Sequence, residues 1–79
     1  MAATSRIEMS PKIMLGKPVI RGTRIPVELL LRKLSEGAAY TDLLDAYPNL
    51  TVEDIQAALA YAADVMSHEY VVETEPNQG

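Results

Sequence analysis

The sequence predicts a mainly α domain, with a short N-terminal β element followed by a three-helix helix-turn-helix bundle. Three observations carry that expectation. From residue 26 onward the apolar residues recur at helical spacing in three blocks. Each block is punctuated: Gly37 follows the first, Pro48 follows the second, and Thr51 with Asp54 precedes the third. Between residues 6 and 20 the apolar residues instead alternate or fall in short runs broken by Pro11, Gly16 and Pro18.

Taken in order, residues 1–5 are expected to be disordered. Ile7 and Met9 alternate with polar neighbours as in a short strand, residues 10–12 read as a turn, and residues 13–15 as an apolar return. Val19 and Ile20 can close a small paired ribbon, which needs helices or a second copy beneath it because an isolated hairpin is marginal in water. The stretch 16–27, Gly-Lys-Pro-Val-Ile-Arg-Gly-Thr-Arg-Ile-Pro-Val, organises the chain. It reads as an extended piece at 18–20, a tight basic turn at 21–24, and a helix opened by Pro26.

The first helix is expected over 26–35, with Val27, Leu30, Leu31 and Leu34 on one face and Leu29 off it. Arg32 and Lys33 suit its last turn, and Gly37 stops it as a left-handed cap. A short second helix is expected over 41–47, with Thr41 as N-cap, Asp42 in its first turn and Pro48 ending it. The third helix opens on a capping box, Thr51 with Asp54, and a staple, Leu50 with Ile55. Val52, Ile55, Leu59, Ala62 and Met66 then form a seam at alternating spacings of three and four. A helix of about 18 residues spans roughly 27 Å, long for so small a domain, so its distal half is expected to be a dimer surface. The folded domain is expected over 6–67, and residues 68–79 form a mobile acidic tail.

A chain of 79 residues is one domain. It buries only about 60–65% of the surface its unfolded form exposes. It has no cysteine to staple it, yet 48% of its residues are apolar. That combination predicts a homodimer or a partner covering one face. Met1 and its neighbours carry no apolar segment of the kind that leads a chain into or across a membrane, so a cytoplasmic, prokaryotic protein is expected. The net charge of −4 conceals a division. All seven cations lie in residues 1–33 with two acids, a local +5, whereas residues 34–79 hold nine acids and no lysine or arginine. The basic third suits a phosphate backbone and the acidic remainder a basic protein; pairing of the two ends across a dimer is the alternative.

Two helices joined at Pro48, Asn49 and Leu50 fit a helix-turn-helix with the third helix as reader, although three-helix cores that never touch nucleic acid share the pattern. The reader helix opens on Glu53 and Asp54, which repel phosphate, and carries no cation. If the chain touches DNA, the contacts are therefore expected from the segment with Lys17, Arg21, Thr23 and Arg24, or else from Arg32 and Lys33, with Thr51 and Gln56 at base edges. Catalytic residues, a metal site and cofactors are not expected. His68 is the only histidine and suits a helix C-terminus, no cysteine nucleophile exists, and the acids at helix starts serve the helices.

The stretch 16–27 with the segment at 43–62, Leu-Leu-Asp-Ala-Tyr-Pro-Asn-Leu-Thr-Val-Glu-Asp-Ile-Gln-Ala-Ala-Leu-Ala-Tyr-Ala, resembles the family called domain of unknown function 433, over about residues 7–66. The resemblance implies a small bacterial or archaeal protein with a homeodomain-like helix-turn-helix. It further implies a VapB-like antitoxin of a type II toxin-antitoxin pair that neutralises a PIN-like toxin nuclease, binds double-stranded DNA and represses its own operon. The acidic tail, with Tyr70, Val71 and Val72 as apolar anchor, is then expected to cover the toxin. The alternative is a non-DNA-binding homodimeric protein-interaction module.

Overall fold

The computed structural model describes residues 6–69. The order of elements is β1 (Ile7–Glu8), β2 (Val19–Ile20), α1 (Val27–Ser35), α2 (Tyr40–Ala46) and α3 (Val52–Glu69), with a single 3₁₀ turn at Met14–Gly16 between the strands. This is the mainly helical architecture with an N-terminal β element that the periodicity predicts. None of its helices is long and apolar enough to cross a membrane.

The two strands pair antiparallel, Ile7 opposite Ile20 and Glu8 opposite Val19. Ile7, Val19 and Ile20 are buried, so the ribbon is a lid on the helices rather than a free hairpin. The basic turn between β2 and α1 is closed by the Thr23 N–H on the Ile20 carbonyl at 3.0 Å. The Thr23 hydroxyl donates to that carbonyl at 2.7 Å and accepts the Ile25 N–H at 2.9 Å. Gly22, the third residue of this turn, has φ +79°, a conformation that strains any side chain. The turn is therefore closed by its own backbone and by the Thr23 side chain.

The apolar return expected at 13–15 is replaced by something tighter. Ile13 bridges back to Ser10, and the chain then reverses through Met14, Leu15 and Gly16, all with positive φ (52°, 58° and 85°). The chain must turn twice between β1 and β2 to lay Val19 beside Glu8, and an extended run at 13–15 would overshoot. Left-handed backbone costs about 1–2 kcal/mol at a residue with a Cβ, and here two such residues adopt it. Leu15 is also 93% exposed.

Helix α1 begins at Val27, with Pro26 extended at the N-cap position rather than inside the first turn. It ends in a Schellman motif: the Ala38 N–H donates to the Lys33 carbonyl at 3.1 Å and the Gly37 N–H to Leu34 at 3.0 Å, with Gly37 at φ +99°. Nothing lies within 4 Å of where a Cβ would stand on Gly37. Gly37→Ala is therefore expected to cost only the conformational term, about 1 kcal/mol, read as a fall of several degrees in the thermal midpoint without loss of helix content.

Helix α2 starts one residue before the expected position. Its N-cap is Ala39, not Thr41, because Asp42 at the third helical position reaches back to accept the Ala39 N–H at 2.8 Å. One carboxylate thus supplies half of a capping box where the cap residue has no side-chain oxygen. For α3 the full box forms. The Asp54 N–H donates to Thr51 Oγ1 at 3.1 Å and the Thr51 N–H to Asp54 Oδ2 at 3.1 Å. The staple residues Leu50 and Ile55 are both buried.

The core gathers Ile7, Ile20, Val27, Leu30, Leu43, Leu50, Ile55, Ala57 and Ala58 from every element. On α3 the buried line is Asp54, Ile55, Ala57 and Ala58, and only Ile55 belongs to the expected seam. Val52, Leu59 and Met66 face outward instead. The small side chains of Ala57 and Ala58 let α3 lie close to the other elements, so beyond Ile55 the helix turns alanines rather than Leu59 or Met66 to the core.

Candidate nucleic-acid interface

The six residues expected at a nucleic-acid surface do not form one patch. Thr23 and Arg24 share a shallow cleft of about 290 Å³ with Ile25, Ala46, Tyr47, Pro48 and Asn49. The basic turn is thus brought against the α2–α3 connection, with Thr51 two residues beyond Asn49 at the start of α3. Gln56 is exposed on the same helix. Turn and connection meet because Ile20 and Val27, at the two ends of the turn, are anchored in the core that also holds Leu43 and Leu50.

Arg24 and Arg21 are separated by two residues and serve differently. Arg24 makes no ion pair among the described residues, which leaves its guanidinium at the cleft for an outside anion. Arg21 turns back to the ribbon, 3.7 Å from the Glu8 carboxylate and 3.5 Å from the Ile7 carbonyl. Lys17 lies elsewhere, lining a groove between α1 and α3, where it meets Glu28 at 3.5 Å. Glu28 also faces Arg32, one turn along α1, at 3.7 Å. The cationic third of the chain is therefore largely matched to its own acids. These exposed pairs are worth little each, and a phosphate can displace the carboxylates.

The hydroxyls are committed in part. Thr23 holds its turn and Thr51 caps α3, so each retains only residual hydrogen-bonding capacity for a ligand. Arg6, which carried no assigned role in the sequence, closes the site from behind. Its guanidinium donates to Asp54 Oδ1 at 3.0 Å and ties the start of β1 to the first turn of α3. One of the two acids that would repel phosphate at the head of α3 is thereby buried and paired, leaving Glu53 exposed. Only the tertiary structure could reveal a pair 48 residues apart.

Near the other end of α3 His68 acts as a local cap. Its Nδ1–H donates to the Asp64 carbonyl at 2.8 Å. Among the described residues no cluster of three or more histidine, aspartate or glutamate side chains is placed to hold a metal ion. Tyr70, Val71 and Val72 lie outside the described residues.

Comparison with known proteins places this geometry among relatives. The family model described as "Protein of unknown function (DUF433)" matches residues 7–62, from β1 through most of α3. The uncharacterized protein y4eO of Sinorhizobium fredii is 39% identical over 61 residues, 77% of this chain and 28% of its own length. The crystal structure of a DUF433 member protein from Anabaena variabilis superposes with a TM-score of 0.74 at 38% identity, over 80% of this chain and 62% of that one. The chain thus spans about a quarter of the curated relative and under two thirds of the solved one.

Proposed function

We propose that this chain, which belongs to the DUF433 family of proteins of unknown function, is a DNA-binding protein of the antitoxin type. It acts as a homodimer in the cytoplasm, represses its own operon and neutralises a PIN-like toxin nuclease. Its role is binding rather than catalysis. The observation that carries the DNA-binding part is the seat of Arg24. An arginine with no ion pair among the described residues stands beside the connection between α2 and α3, and a cation at such a connection suits a backbone phosphate. Thr51 and Gln56, at the head of α3 and one turn along it, are the side chains offered to base edges.

The test is a salt series of binding to a duplex carrying the promoter of its own gene. Each phosphate neutralised contributes about 0.9 to the slope of log affinity against log salt. Arg24→Ala is expected to flatten the slope by about 1 per protomer, and Arg21→Ala by less, because Arg21 must first leave Glu8. An unchanged slope for Arg24→Ala would remove the carrying observation. For the antitoxin part, deletion of residues 68–79, with Tyr70, Val71 and Val72, is expected to abolish protection against the co-encoded nuclease while leaving DNA binding in place.

A second reading, a homodimeric interaction module that never touches DNA, is favoured by the matching of Arg6, Lys17, Arg21 and Arg32 to internal carboxylates. The same salt series separates the two. The module would bind no duplex even at low salt.

A further inference from the structure

We infer that the face made by residues 14–18 and the distal half of α3 is a two-fold surface for a second copy of this chain, in which Leu15 of each copy enters the groove between α1 and α3 of the other. This deepens the homodimeric part of the reading above and rests on that part alone, not on DNA binding.

The hole is already formed in a single copy. A groove of about 340 Å³ runs between α1 and α3, walled by Val27, Glu28 and Leu31 on one side and by Tyr61, Ala62, Val65 and Met66 on the other, with Lys17 and Pro18 at one lip. It is almost wholly apolar and open. Val65 and Met66 are 41% and 50% exposed, since α3 continues well past Ala58, the last buried residue among those described. A helix that ended in water would gain nothing from those side chains.

The knob is Leu15. Leu15 stands 93% exposed at the tip of the left-handed turn, flanked by the exposed Met14. Leucine is a costly choice there twice over: its Cβ strains the backbone, and its side chain meets only solvent. Asparagine or glycine would relieve both. Strain and exposure at one residue make sense when another surface receives it.

Knob and hole are neighbours, because Lys17 and Pro18, two and three residues after Leu15, form the lip of the groove. A surface carrying both is self-complementary, and a single two-fold rotation satisfies both copies at once. The charges agree. Lys17 on the lip with Arg32 and Lys33 on α1 outweigh Glu28 between them, three cations to one acid, whereas the exposed distal part of α3 carries Asp64 and no lysine or arginine. The rotation sets the α3 side of one copy against the lip of the other, so Lys17 faces the partner's acidic helix. Its exposed pair with Glu28 is weak enough to exchange. Met9, whose sulfur lies 3.9 Å from the Tyr61 hydroxyl, extends the same face.

The chain has no cysteine, so engineered cysteines report without background. A mass-tagged Leu15→Cys chain is mixed with an Ala62→Cys chain and oxidised, while sedimentation equilibrium measures the mass of the wild type and of Leu15→Asp. A dimeric wild type, a tagged–untagged disulfide in good yield, and at least 100-fold weaker dimerisation of Leu15→Asp with unchanged helix content are expected. Leu15→Asn, which suits left-handed backbone, is the second variant should the aspartate disturb the turn. A dimer that ignores both substitutions and forms no mixed disulfide overturns this surface and leaves the homodimer standing on another. A monomeric wild type overturns both.

Discussion

Replacing Ile55 by alanine is expected to lower the unfolding free energy by about 2–5 kcal/mol, whereas Leu59→Ala, one turn further along α3, should cost about 1 kcal/mol or less. Ile55 is completely buried, staples the start of α3 through Leu50 and touches the layer formed by α1 and the ribbon. Its loss opens a cavity that a domain with so few large core residues cannot refill. Leu59 is 40% exposed and leaves no hole. A domain of this size has only about 4–12 kcal/mol in hand, so Ile55→Ala approaches the threshold of folding. Urea unfolding of both variants decides the matter. Equal losses would mean that the seam read from the spacing, not the alanine face, is the buried one.

Asp54→Ala is the second large effect, expected at about 2–3 kcal/mol. The side chain is 10% exposed, accepts from Thr51 N–H and from Arg6, and sits where α3 presents its free N–H groups. Loss of a cap costs about 1 kcal/mol, and loss of a part-buried bond to a charged partner about 1.5 kcal/mol more. At about 4–8 °C per kcal/mol for a domain this small, the midpoint should fall by roughly 10–20 °C. Arg6→Ala should cost about 1 kcal/mol, because the arginine is nearly half exposed and water takes its place. Asp54→Asn keeps an acceptor for the cap and loses the ion pair, so it should fall between them. A double-mutant cycle on Arg6 and Asp54 reads the coupling directly; a value near zero would mean that the strand and the helix are held together by Ile7 and Ile20 alone.

Both predictions turn on the first two turns of α3, and they show where local reading succeeds. The capping box, the staple and the Gly37 stop were legible because each is a relation among residues within five positions, and short-range geometry depends on little else. The start of α2 was misplaced by one residue for a related reason. Thr41 is the better isolated cap, but Asp42 can satisfy Ala39 from the third helical position, and that choice keeps Leu43 in the core. The seam on α3 was misread because spacings of three and four recur on more than one face of a helix rich in alanine.

The candidate site divides in the same way. Thr23, Arg24, Thr51 and Gln56 were named from their chemistry, and the fold sets the basic turn beside the α2–α3 connection. Arg21 and Lys17 were indistinguishable from Arg24 in sequence, since nothing local says that Glu8 or Glu28 will stand within reach. Arg6 had no visible role.

Read alone, the order of residues determines the helices, their stops and caps, the basic turn and the division of charge, because each depends on backbone preferences and neighbours a few positions away. The tertiary structure alone decides which face of α3 is buried, which cations are matched to carboxylates, and that Leu15 projects beside an open groove. Those outcomes require elements distant in the chain to compete for the same space, and no count of spacings contains that competition.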